Sequence, residues 1–150
     1  MRTLPAYCAL ILPLGCASIQ HSPGDSAAGV RGPDTAPAVI LTQAEFDDFL
    51  TRTLSRPGAY DADGFVRWLE AARPDFERQI LVLVRHDASS GSTFSFNASG
   101  QRHGTMTCDI RTRRSGSTRD MVPYWFAAAI DRPAPDRIEV HVDGQLQPGR

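Results

Sequence analysis

The sequence predicts an α+β domain: a mostly antiparallel β-sheet, either a curled sheet or a small sandwich, with two helices at its N-terminal side. Three observations carry this. Ile80–Val84 (ILVLV) is an unbroken aliphatic run, too short for a helix core and without helical period, as in a strand buried on both faces. Three later segments alternate apolar and polar residues, the pattern of half-buried strands. Gly, Pro and Ser punctuate the chain closely, so the elements are short and joined by turns.

Taken in order, Ala38–Leu41 (AVIL) reads as a short strand. Thr42 and Glu45 form a capping-box pattern that starts a helix carrying Phe46, Phe49, Leu50 and Leu54 on one face. Pro57-Gly58 ends it. A second helix begins after Asp61 or Asp63, buries Phe65, Trp68, Leu69 and Ala72, and closes at Pro74. Gln79–His86 is the central strand, followed by a turn at Ala88–Gly91. Thr93–Asn97 turns Phe94 and Phe96 inward, and Ser99-Gly100 reverses the chain. Thr105–Arg113 sets Met106, Cys108 and Ile110 against Thr107, Asp109 and Arg111. The polar connection Arg114–Asp120 leads to a buried strand, Met121–Ile130, in which Pro123 sits where its missing donor is harmless. Ile138, Val140 and Val142 form the last strand. The expected core includes Ile80, Val82, Val84, Phe94, Phe96, Cys108, Ile110, Trp125 and Val140.

The N-terminus has the layout of an export signal. Arg2 precedes the apolar stretch Leu4–Leu14, and Gly15-Cys16 leads into polar sequence. Leu12–Cys16 (LPLGC) resembles a bacterial lipobox, which implies cleavage before Cys16 and lipidation of its thiol. The expected organisation is therefore a signal peptide at 1–15, a lipid-anchored flexible tether at 16–36 and one β-rich domain at 37–150. The implied location is the cell envelope, periplasmic or surface-facing, with plain secretion as the alternative. A formal net charge of −1 argues against nucleic acid as a partner, because phosphate binding needs a concentrated basic surface.

Three candidate sites stand out. Arg111, Arg113, Arg114 and Arg119 form a basic strip around one connection, suited to carboxylate or phosphate groups, with Asp109 and Asp120 beside them as partial neutralisers; a solvated hairpin flank accounts for the same residues. Any exposed aromatic among Tyr124, Trp125 and Phe126 extends that contact surface. Cys108 could act as a thiol nucleophile with His103 as its base, although its place between Met106 and Ile110 suits a small buried hydrophobe better. Asp61, Asp63, Gly64 and Glu70 match positions of a calcium-binding loop, but Ala59 replaces the first ligand and Arg67 brings a positive charge toward the ion. An aspartate-capped helix accounts for the same residues. No metalloprotease, dithiol or nucleophile-elbow motif occurs, and no cofactor is called for.

The order of short motifs resembles the C-terminal domain of the protease-complex-stabilising lipoprotein (the PrcB-like family). The matching segments are Ala44–Leu50 (AEFDDFL), Pro74–Val84 (PDFERQILVLV), Gly91–Phe96 (GSTFSF), Pro123–Ala127 (PYWFA) and Arg137–Val142 (RIEVHV). Relative to that family Ala59–Ala72 reads as an insertion, and the family supplies no catalytic residues. The resemblance implies a β-rich, non-enzymatic module that stabilises or modulates another exported protein, such as a protease. A thiol-dependent hydrolase, a calcium-modulated module and a structural envelope protein are the competing classes.

Overall fold

The computed structural model describes residues 29–34, 37–55 and 60–148. The signal peptide, Cys16, most of the expected tether, Pro57-Gly58 and Ala59 lie outside the described residues. The fold is α+β, with two helices and two mostly antiparallel four-stranded sheets. One sheet has the order β1 (Val30–Arg31), β6 (Met121–Asp131), β3 (Gln79–Ser89), β2 (Ala38–Ile40). The other has the order β4 (Thr93–Arg102), β5 (Thr105–Arg114), β7 (Arg137–Val142), β8 (Gln145–Leu146). The helices α1 (Gln43–Leu54) and α2 (Ala62–Ala71) cover the face of the first sheet that the second sheet leaves free.

β3 organises these layers because its side chains alternate between two cores. Ile80, Val82 and Val84 point between the sheets, where they meet Phe94, Met106, Cys108, Ile110 and Phe126. Leu81 and Leu83 point the other way, into Phe46, Phe49, Phe65, Leu69 and Trp125. All five aliphatic residues are at most 3% exposed, as expected of a strand buried on both sides. β6 repeats the alternation beside it. Tyr124, Phe126, Ala128 and Ile130 face the second sheet, while Trp125 faces the helices. Phe96 and Val140 pack against the inter-sheet core but are only partly buried.

The helix starts follow from local chemistry. The Thr42 hydroxyl accepts from the Glu45 N–H at 3.2 Å, satisfying a donor that the first turn leaves open, and the Glu45 carboxylate reaches back beyond the cap to the Leu41 N–H at 2.7 Å. Asp61 caps α2 by accepting from the Gly64 N–H at 2.9 Å.

The strand inventory departs from the sequence expectation in several places, among them β8, which lies beyond the expected last strand. Val30–Arg31, expected in the tether, pairs with Trp125 and Tyr124 as β1. Gly32 then donates to the Pro123 carbonyl, so the proline nitrogen faces this sheet rim and its missing donor removes no rung between β3 and β6. β3 runs on to Ser89, through the first half of the expected turn, and the chain turns at Ser90-Gly91. The reversal expected at Ser99-Gly100 falls instead at His103-Gly104, where φ is 52° and 75°, the conformation of a two-residue type I′ hairpin. β4 accommodates Gly100 through an irregular register between Ser99 and Arg102. Finally, β5 and β7 run parallel. Between them the chain crosses to the other sheet as β6, and that excursion supplies the crossover a parallel pair requires.

Candidate functional site

The basic strip lies at the end of β5 and in the connection that follows it. Arg111 stands on the outer face of its sheet, opposite Ser95 of β4 and away from the inward-facing Ile110. Arg113 is the extra residue of a bulge, since Phe94 pairs with Thr112 and Thr93 with Arg114. Arg119 lies in the loop before β6. Arg111, Arg113, Arg114 and Arg119 are all exposed. Among the described residues none of the four has a carboxylate within the 4.0 Å that defines an ion pair, whereas Arg52, Arg85 and Arg137 are all paired.

The loop that follows β5 and carries Arg119 is braced. The Gly116 N–H donates to the Ser92 hydroxyl at 2.8 Å, the Thr118 hydroxyl donates to the Ser90 carbonyl at 3.1 Å, and the Ser90 N–H donates to the Asp120 carbonyl at 3.1 Å. The Arg31 guanidinium donates to the Ser90 hydroxyl. A β-carbon on Gly116 would lie 2.8 Å from the Ser89 carbonyl oxygen and nearer still to that of Ser90, so only glycine admits this approach.

The expected neutralisers do other work. Asp120 is held below the usual carboxylate range, chiefly by the Thr118 hydroxyl, and the arginine that acts on it is Arg31. Asp109 makes no ion pair among the described residues. The acidic group anchored near the strip is Asp143, just past the end of β7, which no sequence motif marks. The Thr112 N–H at 2.8 Å and the Thr112 hydroxyl at 2.9 Å donate to its carboxylate and depress its pKa, and Arg111 adds to the effect.

The aromatic half of the expected contact surface is not on the surface. Tyr124, Trp125 and Phe126 are at most 4% exposed. The Tyr124 hydroxyl accepts from the Gly91 N–H at 3.1 Å and donates to the Ser89 carbonyl at 3.4 Å, while Trp125 Nε1 donates to the Pro33 carbonyl at 3.0 Å. The strand they occupy is buried on both faces, so alternation exposes none of them.

Cys108 and His103 do not form a nucleophile and base. Cys108 is fully buried between the sheets, and burial, aided by the charge of Asp109, pushes its thiol up to about 12. His103 is exposed on the hairpin turn. Three ladder positions, about 10 Å of strand, separate Cys108 from the residue that leaves that turn. His86 stacks edge-on against Phe94 at 5.6 Å, and burial lowers its pKa. His141 lies on the outer face with Nε2 3.7 Å from Glu139, too far for a hydrogen bond.

Asp61, Asp63 and Glu70 lie along one helix rather than around a loop. Asp61 is the N-cap and Glu70 is nine residues further, about 13 Å along the axis. Among the described residues no three His, Cys, Asp or Glu side chains converge on a point that could hold a metal ion, and no helix is long and apolar enough to cross a membrane.

The fold and its surface thus define a three-layer domain, helices on sheet on sheet, with a braced arginine flank on the outermost layer. Comparison with family models, with curated proteins and with solved structures returns no match.

Proposed function

We propose that this chain is an exported, lipid-anchored protein-interaction module without catalytic activity, which stabilises or modulates another exported protein such as a protease. The observation that carries the reading is the set of four exposed arginines with no ion-pair partner among the described residues, three of them on β5 and the fourth on the braced loop that follows it. Arginine side chains carried on an ordered strand and a braced loop leave less backbone entropy to lose on binding a carboxylate, and arginine is prominent among binding hot spots. The buried, proton-retaining Cys108 speaks against a thiol hydrolase, and the helical spacing of Asp61, Asp63 and Glu70 speaks against calcium control. The envelope address and the PrcB-like resemblance supply the kind of partner. Lipidation at Cys16 would hold the module at a membrane surface.

The test immobilises the full chain, exposes it to cell-envelope extract at several salt concentrations and identifies what is retained. A specific exported protein should be retained by wild type and lost from Arg111→Glu/Arg113→Glu, with retention weakening as salt rises. Retention of nothing specific by demonstrably folded protein would count against the reading.

A further inference from the structure

β4 is the outer strand of its sheet, with β5 on one side and no strand among the described residues on the other. It is ten residues long, whereas the strands on the other three rims, β1, β2 and β8, have two, three and two. Which of its main-chain groups face outward follows from the ladder. The Ile110 carbonyl accepts from the Asp143 N–H on the β7 side at 2.9 Å, so even-numbered residues of β5 direct their peptide groups toward β7. Thr107, Asp109 and Arg111 then direct theirs toward β4, where they face Ser99, Asn97 and Ser95. Phe94, Phe96 and Ala98 are left with N–H and C=O groups aimed away from the sheet, on a strand pinned by their own inward side chains.

Natural edges are commonly blunted by charge or proline. The segment Thr93–Ser99 (TFSFNAS) contains neither. Its outward side chains are short and polar, and Arg111 stands one strand behind them. We infer that β4 accepts an extended acidic segment of a partner protein as an added strand, with main-chain bonds to Phe94, Phe96 and Ala98 and outward carboxylates meeting Arg111 and Arg113. This rests on the interaction reading above and gives its partner a chemistry. An added strand lies about 9.6 Å from β5, a gap that arginine and glutamate side chains close over the short Ser95. A second copy of this chain would instead bring a like-charged arginine row to the same edge, so the charge favours an acidic guest.

The test follows amide hydrogen exchange in the full chain with a seven-residue peptide of alternating valine and glutamate. The amides of Phe94, Phe96 and Ala98 should become protected, while those of Ser95 and Asn97, already in the ladder, should not change. N-methylation of one alternate set of peptide amides should weaken binding about tenfold or more, and methylation of the other set should not. Arg111→Glu, or lysine in place of the peptide's glutamates, should weaken it comparably. Absence of binding, or binding without protection at those three amides, overturns the proposal. Concentration-dependent protection without peptide makes a second copy the occupant, and concentration-independent protection makes it this chain itself; either result overturns the acidic guest. An exported partner retained undiminished by excess peptide leaves the interaction reading standing and removes only the edge.

Discussion

Cys108 lies at the middle of β5 with no exposed surface, between Met106 and Ile110 and across from Ala98. Its environment offers the thiolate no solvation and a negative neighbour in Asp109, so the neutral thiol persists up to about pH 12, against an ordinary value of 9.0. The unfolded chain gives up that proton above pH 9 and the native protein does not. The contribution of this group to stability is therefore complete below pH 9 and erodes as pH climbs toward 12. Thiol labelling of native protein should be slow at pH 7 and should not quicken between pH 7 and 10, whereas labelling in urea should quicken strongly. Fast native labelling at neutral pH would restore the nucleophile reading. The alternation of Thr105–Arg113 already placed Cys108 on the apolar side. Its distance from His103 was beyond sequence reading, because the hairpin turn falls at His103 itself rather than at Ser99-Gly100.

β1 is two residues long, yet the segment it opens closes the helix-side core. Gly32 passes so close to Trp125 and Phe65 that a β-carbon there would lie 2.6 Å from Phe65 Cε2 and closer still to Trp125 Cδ1. Pro33, next along, supplies the carbonyl that takes the Trp125 Nε1 proton. Both rings are fully buried, with ring centroids 6.0 Å apart, so neither can yield without moving the other. Gly32→Ala should lower stability by about 1–3 kcal/mol, the usual cost of overpacking. Urea unfolding would read it, and an unchanged midpoint would show that this segment does not clasp the tryptophan. Sequence reading put Gly32 in a tether because Gly, Pro and Asp there lack periodicity, and a two-residue strand is too short to reveal any. Long runs behave otherwise: β3 and β5 were legible because each repeats its pattern over many residues. Of the candidate site, the arginines were legible as charge, but the open edge of β4 was not. An edge is a relation between strands, and strand order leaves no mark in local sequence.

At the scale of the whole molecule the two cores share one pair of strands. β3 and β6 are joined over eleven residue pairs and send alternate side chains to opposite layers, so the helices and the second sheet lean on the same backbone. This explains how three layers hold together although the described residues contain a single cysteine, free and buried, and no disulfide. It also bears on the proposed docking of a partner. A strand added at β4 would extend a sheet whose position is set by the first, so binding there should stabilise the domain as a unit. The arrangement predicts one unfolding transition rather than two. Ile80 and Leu81 are adjacent, both fully buried, and face opposite cores. Ile80→Ala and Leu81→Ala should each cost about 2–5 kcal/mol. Each should move the whole transition, with tryptophan fluorescence, which reports Trp68 and Trp125 on the helix side, coinciding with far-ultraviolet circular dichroism. Separate transitions by the two probes, with Ile80→Ala shifting one and Leu81→Ala the other, would mean that the layers fold independently and that β3 does not couple them.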